Sequence, residues 1–225
     1  MVGAAGTPCE EPGFLTVGND YQNCTTNISL ATNCPGGGES GLDQSPLWDC
    51  PDAAPSGAGG NCSVLFKPSS HLLQLADVQS TSLFVMDAES LATLAAVLGR
   101  SDAAAELRSR AAVMRAQLAK TWDEDAQTFA DIYVSTGAFS DRLTPNAFYP
   151  LLAHAATAEQ ATAMVEKHLL NPKEFCISDT YATDGNANCF WGLPSIAANA
   201  PQFMQPQSYI YWRGLSWGPM TMLTW

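Results

Sequence analysis

Apolar residues along this chain fall into two long helical stretches, a mixed segment, and shorter helices separated by long loops. From His71 onward the spacing turns helical. Leu83, Met86, Leu91, Leu94 and Leu98 recur at intervals of three to five residues and are expected to line the buried face of one helix. Gly99 supplies its C-terminal stop. Ser101 is expected to cap a second helix, in which Leu107, Ala111, Met114, Leu118 and Trp122 share a face. So short a turn makes the two helices antiparallel neighbours. Between residues 123 and 140 the pattern changes. Phe129, Ile132, Tyr133 and Phe139 are spread among Asp, Thr, Ser and Gly, which predicts a β-hairpin or folded loop. Thr144-Pro145 reads as an N-cap with proline at the first helical position. Thr157 and Gln160 predict a capping box, for a helix lined by Ala161, Met164, Val165, His168 and Leu169 and ended by Asn171-Pro172. Residues 173–207 form a long loop, and loops of that length usually carry function.

The remaining stretches lack periodicity. Residues 1–37 are irregular and rich in Gly, Pro, Asn and Thr, and residues 51–63 read as a second loop, inserted at the surface. The domain expectation is therefore an irregular segment over 1–37 and a mostly α domain of helical hairpins over 38–225. The class is all-α.

Composition narrows the partners. Of 225 residues 46% are hydrophobic and 14% charged, a globular balance. A net charge of −12, from 22 acids against 10 bases, argues against nucleic acid or an anionic membrane as partner, since both need a basic face. No apolar run approaches the ~20 residues that span a bilayer, and the N-terminus shows no signal-peptide pattern. Seven cysteines are present, five of them within the first 62 residues, with N-x-S/T sequons at Asn23, Asn27 and Asn61. Together they favour disulfides and a secretory-lumen or extracellular location. A cytoplasmic location stays open, because sequons also arise by chance in such loops. The cysteine and histidine spacings fit no zinc site, so no metal and no cofactor are expected. His154 and His168 are expected within helices, as core or surface residues. Asp77 is expected to be a helix cap and Asp87 part of a solvated face.

Two stretches carry candidate chemistry. The first is Glu39-Ser40-Gly41-Leu42-Asp43-Gln44-Ser45-Pro46-Leu47-Trp48-Asp49. Its three carboxylates can accept from sugar hydroxyls, and an indole packs on the apolar face of a pyranose. The second is Ser208-Tyr209-Ile210-Tyr211-Trp212-Arg213-Gly214-Leu215-Ser216-Trp217-Gly218-Pro219-Met220. Here Trp212 and Trp217 can straddle a ligand, Gly214 admits close backbone approach, and Arg213 can hold a carboxylate through two parallel hydrogen bonds. The plainer alternatives are an acidic surface turn for the first stretch and an aromatic core stripe for the second.

E-S-G-L-D-x-S-P-x-W-D followed by Y-W-R-G-x-x-W-G-P-M resembles the inverting glycoside hydrolases of family 63 and their mannosylglycerate-hydrolase-like relatives. Arg142-Leu143-Thr144-Pro145-Asn146-Ala147-Phe148-Tyr149-Pro150-Leu151-Leu152 and Gly192-Leu193-Pro194-Ser195-Ile196-Ala197 are similar to two further segments of that family. The resemblance implies an incomplete (α/α)6 six-hairpin toroid and an inverting α-glycoside hydrolase acting on a glucosyl or mannosyl linkage. It implies Asp43 as general acid, with Tyr211, Trp212, Arg213, Trp217, Trp48, Asp49 and Glu39 as substrate-binding or supporting residues and a carbohydrate as partner. Inversion needs a second carboxyl group roughly 6.5–9.5 Å from the first. In the family it lies downstream of W-R-G, and none of the five residues after Met220 is acidic. The chain is therefore expected to be a fragment, truncated at both ends and inactive alone; the alternative is a non-catalytic sugar-binding remnant. Gln44 and Thr221 depart from the residues usual in the family.

Overall fold

The computed structural model describes residues 10–11, 14–15, 42, 45–57, 60, 62–67, 72–176, 192–205, 207 and 210–224. Asp43, Glu39, His71 and the three sequon asparagines lie outside the described residues. The elements in chain order are β1 (Glu10–Glu11), β2 (Phe14–Leu15), β3 (Phe66–Lys67), β4 (Leu72–Leu73) and β5 (Leu75–Ala76). The two long helices follow, α1 (Val78–Val97) and α2 (Ser101–Leu118), then β6 (Trp122–Asp123), β7 (Thr128–Phe129) and β8 (Ile132–Tyr133). A 3-10 turn over Pro145–Phe148 runs into α3 (Tyr149–Leu152), α4 (Ala158–Met164) continues as a π-helical turn over Val165–Leu169, and α5 is Gly218–Thr224.

The helical hairpin α1–α2 is the largest element, and its inner seam is made of small residues. Val78, Thr81, Val85, Ala88, Ala92 and Ala95 are buried on α1, against Ala104, Ala111 and Leu118 on α2. Alanines at helical spacing let two backbones approach closely. This corrects the expected face of α1. Leu91, Leu94 and Leu98 point outward with 44%, 59% and 72% of their surface exposed, and Leu83 and Met86 are half-buried. The reason is that α1 is apolar or small around most of its circumference, and the alanine face permits the closer contact. The face expected for α2 packs inward, with Leu107 and Met114 against the same core; Trp122 reaches that core from β6, because α2 ends at Leu118. Gly99, at φ +70°, closes α1 as anticipated. Ser101 does not cap α2: Arg100 takes the N-cap position and makes no side-chain bond there, since a guanidinium has no acceptor to offer the free N–H groups, while its own N–H closes α1 on the carbonyl of Ala95.

Between residues 122 and 140 the anticipated hairpin forms, as β6 pairs antiparallel with β7. β8 pairs instead with β5, Leu75 opposite Tyr133 and Ala76 opposite Ile132. The Thr157–Gln160 capping box forms in both directions. Asp77 caps α1, its carboxylate accepting from the N–H of Ser80 at 2.7 Å, and Asp87 is exposed. His154 is not helical; it follows α3 with φ +52°. His168 is buried in the π-helical turn between Glu174 and the carbonyl of Ala126.

Two cores result. One joins the α1–α2 hairpin to Phe129, Phe148, Met164, Phe175 and Leu193. The other gathers Leu42, Leu47, Trp48, Leu65, Leu73, Leu75, Tyr133, Trp212 and Met220, and it underlies the candidate site. Among the described residues no helix is long and apolar enough to cross a membrane.

Candidate active site

The tryptophan-rich segment precedes α5, and its rings pack against one another. Trp212 and Trp217 are stacked, with centroids 4.3 Å apart and planes 14° from parallel. Tyr211 meets Trp217 edge-on at 4.8 Å. Trp212 is buried, whereas Tyr211 and Trp217 are half-buried. Trp217 Nε1 is enclosed with no hydrogen-bond partner among the described residues. The stack thus has a closed back, formed by Trp212 and the second core, and a partly open front. Gly214 makes the bend possible. Its φ is +135°, and a Cβ there would meet the ring of Phe203 at 2.9 Å.

Arg213, between these rings in sequence, is taken up by polar partners. Nη1 and Nη2 donate to the two carboxylate oxygens of Asp49 at 3.1 and 2.7 Å. Nη2 also donates to the carbonyl of Pro55 at 2.9 Å, and Nε donates to the carbonyl of Gln205. Both charged side chains are 1% exposed. Burial pushes the Asp49 carboxyl above its ordinary value, while the Arg213 guanidinium and the charge of Arg142 pull it back down. A buried carboxylate held through both oxygens is a rigid join between segments 164 residues apart. The carboxylate that Arg213 grips is therefore one of the chain's own.

The four segments singled out in the sequence form a closed circuit. Asp49 joins the first to Arg213 of the last. The N–H of Gly214 donates to Ser195 Oγ at 2.9 Å, the N–H of Ser195 donates to the carbonyl of Leu215 at 3.1 Å, and Pro194 bridges to Ser216. The N–H of Ala197 then donates to the carbonyl of Leu143 at 2.9 Å. Arg142 Nη2 completes the path by donating to the carbonyl of Pro51 at 3.2 Å, two residues after Asp49. Motifs spread over most of the sequence thus converge on one framework.

Of the anticipated site residues, the structure brings Trp48, Asp49, Tyr211, Trp212, Arg213 and Trp217 into this one neighbourhood. Trp48 is 1% exposed, and its Nε1 donates to the carbonyl of Leu42 at 3.0 Å. Trp48, Asp49 and Arg213 face one another or the core and act as support, while Tyr211 and Trp217 hold the open front. Glu39 and Asp43 lie outside the described residues. On either side of Asp43, Leu42 and Ser45 are joined by a 3.0 Å backbone hydrogen bond, and Leu42 packs in the core that holds Trp212. Residue-level reading of the sequence gave no role to Ser195, Arg142 or the loop carrying Pro51 and Pro55. Their signal was present only as motif membership and as the two cysteines that flank the loop.

Residues 35–225 match the family model of the mannosylglycerate hydrolase MGH1-like glycoside hydrolase domain. The chain belongs to this glycoside hydrolase family. Solved structures agree on the fold. The GH63 mannosylglycerate hydrolase from Thermus thermophilus in complex with Tris is 19% identical with a TM-score of 0.53, covering 67% of this chain and 32% of that one. The same enzyme in complex with glucose gives 20% identity and a TM-score of 0.52, over 67% and 31%. A sialidase, 16% identical, superposes with a TM-score of 0.54 over 67% of this chain and 13% of its own. The chain thus spans about a third of the length of the Thermus enzyme, 32% by coverage. No curated protein matches it. The fold is part of an all-α six-hairpin toroid, with long loops that carry the motifs of the glycoside hydrolase domain.

Proposed function

We propose that this chain forms the acid-donating and sugar-gripping part of an inverting α-glycosidase that acts on a glucosyl or mannosyl linkage. Asp43 is the general acid, protonating the leaving oxygen. A second carboxyl group, carried downstream of the W-R-G segment in the complete protein, activates the water from the opposite face of the sugar. Tyr211 and Trp217, the half-buried rings of the cluster, pack on the apolar face of the pyranose. Trp212 backs Trp217, and the Asp49–Arg213 pair fixes the height of the aromatic wall. The observation that carries this reading is the stacked Trp212–Trp217 pair with a fully buried bidentate ion pair on the adjoining residue, Arg213, which is a costly arrangement for a mere core stripe. Membership of the family, and the Thermus enzyme's complexes with glucose and with Tris and D-glycerate, support a glucosyl or mannosyl glycerate as substrate.

The Cys50–Cys62 disulfide and the disulfide-bonded Cys176 support a secretory-lumen or extracellular location, which retention of both bonds in protein isolated without reductant would check. The catalytic test is hydrolysis of glucosylglycerate and mannosylglycerate by the full-length protein, followed by NMR of the anomeric proton. The first-formed sugar should carry inverted configuration. Asp43→Asn should lower kcat by about 10²- to 10⁴-fold, the usual contribution of a general acid, and leave sugar affinity in place. Binding without turnover in the wild type would make the chain a sugar-binding remnant, and unchanged turnover in Asp43→Asn would remove Asp43 from the mechanism.

A further inference from the structure

The loop between Cys50 and Cys62 belongs to none of the four motifs, yet it serves two buried cations. Pro51 offers its carbonyl to Arg142 Nη2 at 3.2 Å, and Pro55 offers its own to Arg213 Nη2 at 2.9 Å. The two guanidinium side chains are 4% and 1% exposed. A buried guanidinium needs its donors matched, and a backbone carbonyl does so only where the chain holds it in place. The disulfide provides that hold. Cys50 and Cys62 have Cα atoms 4.7 Å apart and close a loop with a sequence separation of 12, and Cys50 directly follows Asp49. Inside it the backbone folds on itself, with the N–H of Ala53 on the carbonyl of Cys50 at 2.9 Å and that of Gly57 on Ala54 at 2.7 Å. Gly60 has φ +87°, and a Cβ there would sit 2.8 Å from Ala53 N and Asp52 Oδ1 and 2.9 Å from Cys50 Cβ. Only glycine fits.

We propose that the disulfide-closed loop 50–62 is a positioning element for the aromatic wall. It acts through Arg213: the fixed Pro55 carbonyl sets the guanidinium, the guanidinium sets the residues beside it, and Trp212 and Trp217 are thereby kept stacked. The affinity consequence rests on the carbohydrate reading above; the consequence for the stack does not. A disulfide that only stapled the surface would change thermal stability and nothing else.

The test uses the full-length protein with Cys50→Ala/Cys62→Ala, which leaves the bond at Cys176 in place, and separately Gly60→Ala, which keeps the Cys50–Cys62 bond and forces the loop apart. Two quantities are read. One is the exciton couplet of the stacked indoles in circular dichroism, assigned by its absence from Trp212→Phe. The other is the Kd for methyl α-glucoside and methyl α-mannoside. Both variants should lose the couplet and bind the glycoside about tenfold or more weakly, the loss expected for one hydrogen bond to a charged group. Variants that keep couplet and affinity while only their Tm falls would overturn the proposal. If the wild type binds neither glycoside but both variants lose the couplet, the carbohydrate reading fails and the positioning role stands.

Discussion

The residue that organises the site by its chemistry is Asp49. Its carboxylate is enclosed and fully engaged by Arg213, so neither partner can be removed without stranding the other. Breaking a buried pair from one side typically costs about 3–5 kcal/mol, most of it the penalty of the charge left behind. Asp49→Ala and Arg213→Ala should each destabilise by about that amount in urea titration, and the double substitution by clearly less than the sum. Additive losses would mean that the two groups do not form a unit. Ser195 acts on a smaller scale. Its hydroxyl is the partner of the Gly214 N–H, and Ser195→Ala should cost about 1–3 kcal/mol, the penalty of a buried donor left without an acceptor.

Among the elements, α1 has an unusual start. Two buried carboxyl groups sit at its N-terminus. Asp77 accepts from Ser80, and Asp131 accepts from the N–H of Val78 at 2.8 Å. Burial, and then the neighbouring charge of Asp77, push Asp131 up to about 8, and burial raises Asp77 to about 6. An unfolded aspartate titrates near 3.9. The folded protein therefore holds a proton at Asp131 that the unfolded chain releases from about pH 4 upward. The stability this proton contributes is full below about pH 4 and is lost as pH rises towards 8, with a slope of up to about 1.4 kcal/mol per pH unit. Melting curves should show a lower Tm at pH 8 than at pH 5. Asp131→Asn, whose amide oxygen can still accept from Val78, should flatten that dependence; an unchanged slope would place the proton elsewhere. The elements also show what could be read from sequence. Local signals held: Gly99 stops α1, the Thr157–Gln160 box opens α4, and residues 122–129 turn back on themselves. Each depends on a few adjacent residues. The buried face of α1 could not be read, because choosing between leucines and alanines depends on how closely α2 approaches. The pairing of β5 with β8 and the grip of Asp49 on Arg213 were hidden for a similar reason, since nothing local marks a partner far away in the chain.

Across the whole molecule, the outer side of the α1–α2 hairpin stands out. Leu91, Leu94, Val97, Leu98 and Val113 are 44%, 59%, 81%, 72% and 52% exposed. Clustered apolar surface of this kind promotes association, and the chain by itself should self-associate through it. Leu94→Lys with Val97→Lys should lower the weight-average mass in sedimentation velocity and leave the Tm nearly unchanged, since exposed positions rarely shift stability by more than about 0.5 kcal/mol. The same mass before and after would exclude this face. The four motif segments, for their part, are connected as a loop of links, and such a loop has redundancy that a string of contacts lacks. Cutting one link leaves all four segments tied in series, so they stay together with looser spacing. Cutting two divides them into groups that can drift apart. Damage to this site should accumulate in steps, with any single severed link loosening the spacing of the segments, at a cost in stability set by that link, and a second one releasing them from each other.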